Sequence, residues 1–281
     1  MNEMIMEILH DSLPMLPFLF FTYVLMEYLE HKSSDTFQKH LQSAKKLGPL
    51  IGAILGIVPQ CGFSVLASGL YMNRTISLGT LIAVFISTSD EAIPILVAHP
   101  EQINVLFQVV FIKLVIAIIV GYFVDALIRN NKLRQNHPLH DIHAECEKEN
   151  EGHSSIAYIA FVHTMKIFLF IFIVNVVLSV GIYYIGEDTL GTLLASGSYL
   201  QPVLAAIVGF IPNCAASVML AQLAMDGVIS FGSLTAGLIT SAGLGLLVLF
   251  KMYDNKKDIL RILSILMVTA IVSGIILQFF G

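Results

Sequence analysis

Tryptophan is absent from the 281 residues, cysteine occurs three times, and Asp, Glu, Lys and Arg together make up 12% of the chain. Soluble globular chains are about 25% charged, so too few polar side chains remain to cover a water-facing surface. That argues against a soluble enzyme. A formal net charge of -5 supplies no basic face, which argues against nucleic-acid partners. Cys61, Cys146 and Cys214 cannot build a disulfide framework, because an odd number leaves one over. Without Trp, any interfacial aromatic belt must come from Tyr and Phe. No G-x-x-x-x-G-K-[ST] phosphate loop occurs, so neither ATP hydrolysis nor another cofactor is expected.

What the chain has in abundance is apolar length: 56% hydrophobic residues and a mean hydropathy of +0.82. A membrane crossing takes roughly 20 mostly apolar residues. Apolar stretches run over 12–28, 49–72, 76–98 and 103–128, then over 156–185, 202–225, 228–250 and 259–280. The first is preceded by Glu3, Glu7 and Asp11 and ends in Glu27, Glu30 and His31. It therefore reads as a retained membrane helix and not as a signal peptide.

The two groups of four segments repeat each other. Laid on residues 202–249 without a gap, residues 49–96 match Pro59, Cys61, Ser64 and Val65 to Pro212, Cys214, Ser217 and Val218. Ile76, Ser77 and Gly79 fall on Ile229, Ser230 and Gly232, and the same offset carries His10 to His163 and Gly121 to Gly274. Shared Pro, Cys and Gly in one register are not explained by apolar composition. Duplication of this kind builds many secondary transporters.

Basic residues set the expected orientation. Lys32, Lys39, Lys45, Lys46 and Arg74 flank the early segments; Arg129, Lys132, Arg134 and Lys148 lie in the central stretch; Lys251, Lys256, Lys257 and Arg261 lie between the last two segments. Eight simple crossings would split these charges between the two faces, against the positive-inside rule. Re-entrant hairpins for the second and sixth segments put all of them on the cytoplasmic side. Pro59-Gln60-Cys61-Gly62 and Pro212-Asn213-Cys214-Ala215 supply the hairpin tips, since Pro ends a helix and Gly permits reversal. The expected fold is an all-α integral membrane protein of two inverted repeats, each with three transmembrane helices plus one re-entrant helical hairpin. Residues 1–128 form the first repeat, 129–155 a cytoplasmic loop and 156–281 the second. The expected location is the cell's inner membrane, with both termini on the non-cytoplasmic side.

Hairpins entering from opposite faces meet near the midplane, where unwound backbone is tolerated only if protein buries it or it lines a cavity. The tips bring Gln60, Cys61, Asn213 and Cys214. The third segment is interrupted by Ser87-Thr88-Ser89-Asp90-Glu91, and its counterpart by Thr240, Ser241 and glycines without acids. Two carboxylates at that depth cost about 2.5–3.5 kcal/mol each on insertion scales, so Asp90 and Glu91 are expected to face a cavity, a partner or an ion. Lys113 stands well inside a crossing as a candidate counter-charge, and His163 and Asn175 follow along the fifth segment. Metal-ligand candidates are Cys61, Cys214, Asp90 and Glu91. In the central loop His137, His140, His143 and Cys146 could hold a transition metal loosely, and a metal-collecting or regulatory role is favoured over the alternative of a plain solvated linker.

The sequence resembles the family of ten-transmembrane heavy-metal exporters, whose members are variously described as arsenic efflux proteins or manganese transporters. Its carriers are Leu16-Pro17-Phe18-Leu19, Met26-Glu27-Tyr28-Leu29-Glu30, Pro59-Gln60-Cys61-Gly62-Phe63, Ser87-Thr88-Ser89-Asp90-Glu91, His163-Thr164-Met165-Lys166 and Pro212-Asn213-Cys214-Ala215-Ala216-Ser217. The resemblance implies a secondary exporter of a metal or metalloid ion, embedded in the lipid bilayer, and no enzyme. Thiolates suit trivalent arsenic and carboxylates suit manganese, and both are present. An ion-coupled transporter of a small organic or inorganic anion is the alternative, because helix N-termini and hydroxyls at the breaks favour anions. A membrane sensor acting through the central loop is a third. Homo-oligomerisation stays open.

Overall fold

The structure is a computed structural model that describes residues 20, 24, 47–58, 61–88, 93, 96, 103–130, 161, 164–165, 168–169, 172–173, 176, 200–212, 214–253 and 255–280; the side chains of Cys61, Arg129, Asn130, Cys214, Ala215 and Phe280 are outside that description. Most of the described residues are helical, with no strand among them.

Local chemistry sets the element ends. Helix α1 (Gly48–Gly56) carries Pro49 in its first turn, where the missing N–H has no intrahelical partner to lose. It stops short of Val58, because the residue before Pro59 is disfavoured in the α region. Helix α2 spans Cys61–Met72, and α3 spans Leu78–Ser87. Ser77 caps α3, its Oγ accepting from the Thr80 N–H at 3.1 Å. Helix α4 (Ile103–Asn130) has 28 residues, about 42 Å at the α-helical rise. The second set is α5 (Gln201–Gly209), α6 (Cys214–Met225), α7 (Phe231–Thr240), α8 (Gly243–Met252) and α9 (Lys256–Phe280). Pro202 opens α5, and Ser230 caps α7 by accepting from the Ser233 N–H at 3.1 Å.

The register found in the sequence is the register of the helices. Gly48 and Gln201, Cys61 and Cys214, Leu78 and Phe231, and Ile103 and Lys256 begin paired helices, each pair 153 residues apart. Packing repeats as well. Helix α3 lies between α1 and α4, and α7 lies between α5 and α9. A Cβ at Gly79 would overlap the Gly121 carbonyl oxygen, and one at Gly232 would overlap that of Gly274. Only glycine allows α3 and α4, or α7 and α9, to approach so closely.

The two sets share one interior. Ala83, Phe85 and Ile86 of α3 belong to the same buried cluster as Ala236 and Ile239 of α7 and Ile262, Leu266 and Ala270 of α9. Residues Gly79–Ser87 and Gly232–Thr240 are buried without exception. A further bond across the sets joins α2 to α8, where the Ser68 hydroxyl donates to the Gly245 carbonyl at 2.8 Å. The exterior is the reverse of a soluble protein's: Phe107, Phe111, Ile119 and Phe123 on α4, and Leu260, Val268, Val272 and Phe279 on α9, point outward. Such continuous apolar surface needs lipid and not water against it. Among the described residues, Ile103–Ile128, Phe231–Met252 and Lys256–Phe279 are long and apolar enough to cross a membrane. Helices α1 and α2, of nine and twelve residues, are each shorter than the roughly 20 needed.

Candidate functional site at the two helix breaks

Helix α3 ends where the sequence turns to Ser and Thr. Its C-cap Thr88 is extended (φ -60°, ψ 131°), and the Thr88 hydroxyl donates to the Val84 carbonyl at 2.7 Å. Helix α7 ends at Thr240. Ser241 (φ -73°, ψ 70°) and Gly243 (φ 60°) turn the chain into α8. The positive φ at Gly243 explains a glycine there.

Unwinding frees carbonyl groups in an apolar interior. In a continuous helix the Ala242 N–H would serve the Leu238 carbonyl; here it donates to Thr240 O at 2.8 Å instead. The freed Leu238 carbonyl accepts from Lys113 Nζ at 2.8 Å, and the Thr88 carbonyl accepts from the same ammonium at 2.5 Å. Lys113 is 1% exposed. Its side chain thus ties the break in the first set to the break in the second. A lysine so deep is tolerated only where its charge meets such partners. The counterpart of Lys113, at the same offset of 153, is Leu266, fully buried and apolar.

The hydroxyls named in the sequence have more local duties. Ser87 Oγ donates to Ala83 O and Val84 O at 2.9 and 3.0 Å, and Thr240 Oγ1 donates to Gly237 O at 2.9 Å. A Cβ at Gly56 would overlap Ser87 Oγ, and one at Gly209 would overlap Thr240 Oγ1. Ser87 and Thr240 therefore sit in matching helix contacts, α1 on α3 and α5 on α7. With their protons given to their own helices, the oxygens of Ser87, Thr88 and Thr240 have only lone pairs left to offer. Ser241 is half-buried at the bend. Cys61 and Cys214 open α2 and α6 at equivalent positions. Gln60, Asp90, Glu91, Asn213, His163, Asn175, His137, His140, His143 and Cys146 lie outside the described residues. Among the described residues no three His, Cys, Asp or Glu side chains cluster as a metal site.

Two polar groups that composition and spacing left unmarked hold the opposite ends of α3 and α7. Asp125 of α4 accepts from Ser77 Oγ at 2.6 Å and from the Gly79 N–H at 2.9 Å. In the second set Gln201 does this work: its Oε1 accepts from the Ser230 N–H at 3.0 Å and from Ser233 Oγ at 2.9 Å, and its Nε2 donates to Val228 O at 3.1 Å. The available signal was register, since Asp125 falls on Gln278 and Gly48 on Gln201 at the offset of the repeat.

An all-helical bundle, duplicated in register, apolar on its outside and tied by an ammonium across paired helix breaks, is a multi-pass membrane protein. The chain belongs to the family described as "Putative, 10TM heavy-metal exporter", whose model matches residues 1–186 and again 174–281. The class expected from the motifs is thereby shown over the whole chain. No curated protein and no solved structure matches it.

Proposed function

We propose that the protein is a secondary active exporter of a heavy metal or metalloid ion, of the manganese or arsenic class, working by alternating access at a midplane site between two inverted repeats. The observation that carries this reading is the junction of the two breaks, one from each set of helices, tied through Lys113 to Thr88 O and Leu238 O. Broken helices meeting between duplicated halves are where secondary transporters bind their substrates. Family membership supports a heavy-metal ion as the substrate. The lone pairs left on the Thr88 hydroxyl favour a cationic or electron-poor substrate over an anion, which would need donors.

In this reading α1–α2 and α5–α6 are the re-entrant hairpins. Their tips bring Gln60, Cys61, Asn213 and Cys214 to the site, beside Asp90, Glu91, Thr88 and Ser241. The cysteines serve soft metalloids and the acids serve manganese or a coupling proton. Lys113 balances the acids, and His163 and Asn175 line the path. The loop histidines and Cys146 gather metal at the cytoplasmic face of the inner membrane.

The decisive experiment is flux into proteoliposomes over Mn²⁺, arsenite and labelled oxyanions at two pH values, with Cys61→Ser and Asp90→Asn. Metal or metalloid flux reduced about tenfold or more by one of the two variants is expected, as for loss of a ligand. Sodium-dependent anion flux without metal flux would select the anion alternative, and no flux of either kind would defeat the exporter reading. Topology is tested separately. Alkaline phosphatase fused to either terminus should be active and fused within residues 129–155 inactive; equal activity at the termini and in that loop removes the inverted arrangement.

A further inference from the structure

A helix C-terminus carries roughly half a negative elementary charge, concentrated on its unpaired carbonyls. Two such ends meet at Lys113. Helix α3 presents Thr88 O, turned off the helix axis by the extended cap, and α7 presents Leu238 O, released because Ala242 bonds elsewhere. Both ends present negative partial charge to the Lys113 ammonium. Carbonyl oxygens from unwound or ending helices are the usual donors for a dissolved alkali cation inside a membrane protein. Here the same type of donor pair is filled by a side chain.

We infer that Lys113 is a tethered cation, occupying a monovalent-cation site built from the carbonyl ends of two broken helices, one from each repeat. Three observations support this beyond the bonds themselves. Lys113 is 1% exposed, so protein groups, these carbonyls among them, take the place of water around its ammonium. The acceptors come from both repeats, so the cation joins them. The counterpart of Lys113 is Leu266, fully buried among apolar neighbours, so the duplication has yielded one cation site and not two. Because the cation is covalently held, the site cannot empty into either compartment. Sodium or potassium has no place there, and any coupling ion must bind elsewhere.

The test is chemical rescue of the purified full-length protein, followed by thermal melting of the helical circular dichroism. Lys113→Ala removes the ammonium and leaves room for a small one. In tetramethylammonium chloride, which has no N–H donor, the variant should melt about 5 °C or more below wild type, as expected for uncompensated carbonyl ends in a buried site. In methylammonium chloride at equal concentration it should recover at least half of that loss, while wild type melts alike in both salts. A variant that melts with wild type in tetramethylammonium, or gains no more from methylammonium than wild type does, overturns the proposal. Should Lys113→Ala fail to fold in either salt, Lys113→Gln decides, since the amide keeps donors but no charge. Melting below wild type supports a site that requires a cation, and melting with wild type overturns it.

Discussion

The two sets of helices differ in what they keep identical and what they let diverge. Packing is kept. Gly79 meets Gly121 as Gly232 meets Gly274, Gly56 meets Ser87 as Gly209 meets Thr240, and Pro49 and Pro202 open equivalent helices. Polar chemistry diverges. Lys113 stands opposite Leu266, Asp125 opposite Gln278, and Gln201 opposite Gly48. Between α8 and α9, Tyr253 donates to Asp258 at 3.0 Å, whereas its counterpart is Pro100, which has no such group. Burial and the Asp258 carboxylate hold the Tyr253 phenol above its ordinary range, so it remains a donor at neutral pH. Close helix packing in a membrane depends on small residues at fixed positions, so a duplicated scaffold cannot drift there. Side chains that satisfy loose backbone ends can be replaced from another helix, and so they have drifted.

The largest effects should come from the kept part, and should be equal in the two halves. Gly79→Ala and Gly232→Ala each place a methyl group on a backbone carbonyl that no side-chain rotation can clear. Alanine's better helix propensity returns about 1 kcal/mol, against roughly 1–3 kcal/mol or more of overpacking. Both variants should melt several degrees below wild type by circular dichroism, and by similar amounts. One variant melting with wild type while its twin collapses would break the symmetry of the scaffold.

Much of this scaffold could be read from the chain. Pro59 and Pro212 mark where short helices end, Ser77 and Ser230 mark where α3 and α7 begin, and Ser87-Thr88 and Thr240-Ser241 mark the breaks. These are local events, decided by ring closure, capping hydroxyls and β-branching within a few residues. Lys113 stood out as an intramembrane charge, but its main-chain acceptors did not, because a carbonyl exists at every residue and only the unwinding selects Thr88 and Leu238. Pairing of Gly79 with Gly121 was hidden for a similar reason. The shared offset showed that both glycines recur, and only the packing of α3 on α4 shows that they touch. Asp125 and Gln201 were missed because each acts on a helix distant in sequence, so no spacing rule joins them to Ser77 or Ser230.

The cap exchange offers a smaller and sharper test. Removing either cap should cost about 1–2 kcal/mol, the usual effect of stranding buried donors at a helix N-terminus. Asp125→Ala leaves Ser77 Oγ and the Gly79 N–H without that acceptor, and Gln201→Ala does the same to the Ser230 N–H and Ser233 Oγ. If the halves are the same scaffold with different polar fittings, the first cap should work in the second half. Gln278 already occupies the position of Asp125, and its Oε1 is buried without a hydrogen-bond partner among the described residues. Gln278→Asp in the Gln201→Ala background would aim a carboxylate at the Gly232 N–H and Ser230, on the positive end of α7, where negative charge is favoured. The double variant should recover about half of the lost melting temperature. The reverse graft should fail, because a side chain at Gly48 would run into Thr80 Oγ1. A double variant no more stable than Gln201→Ala alone would mean that the halves have diverged in backbone as well as in side chains, and that the shared register no longer implies a shared geometry at this end of α7.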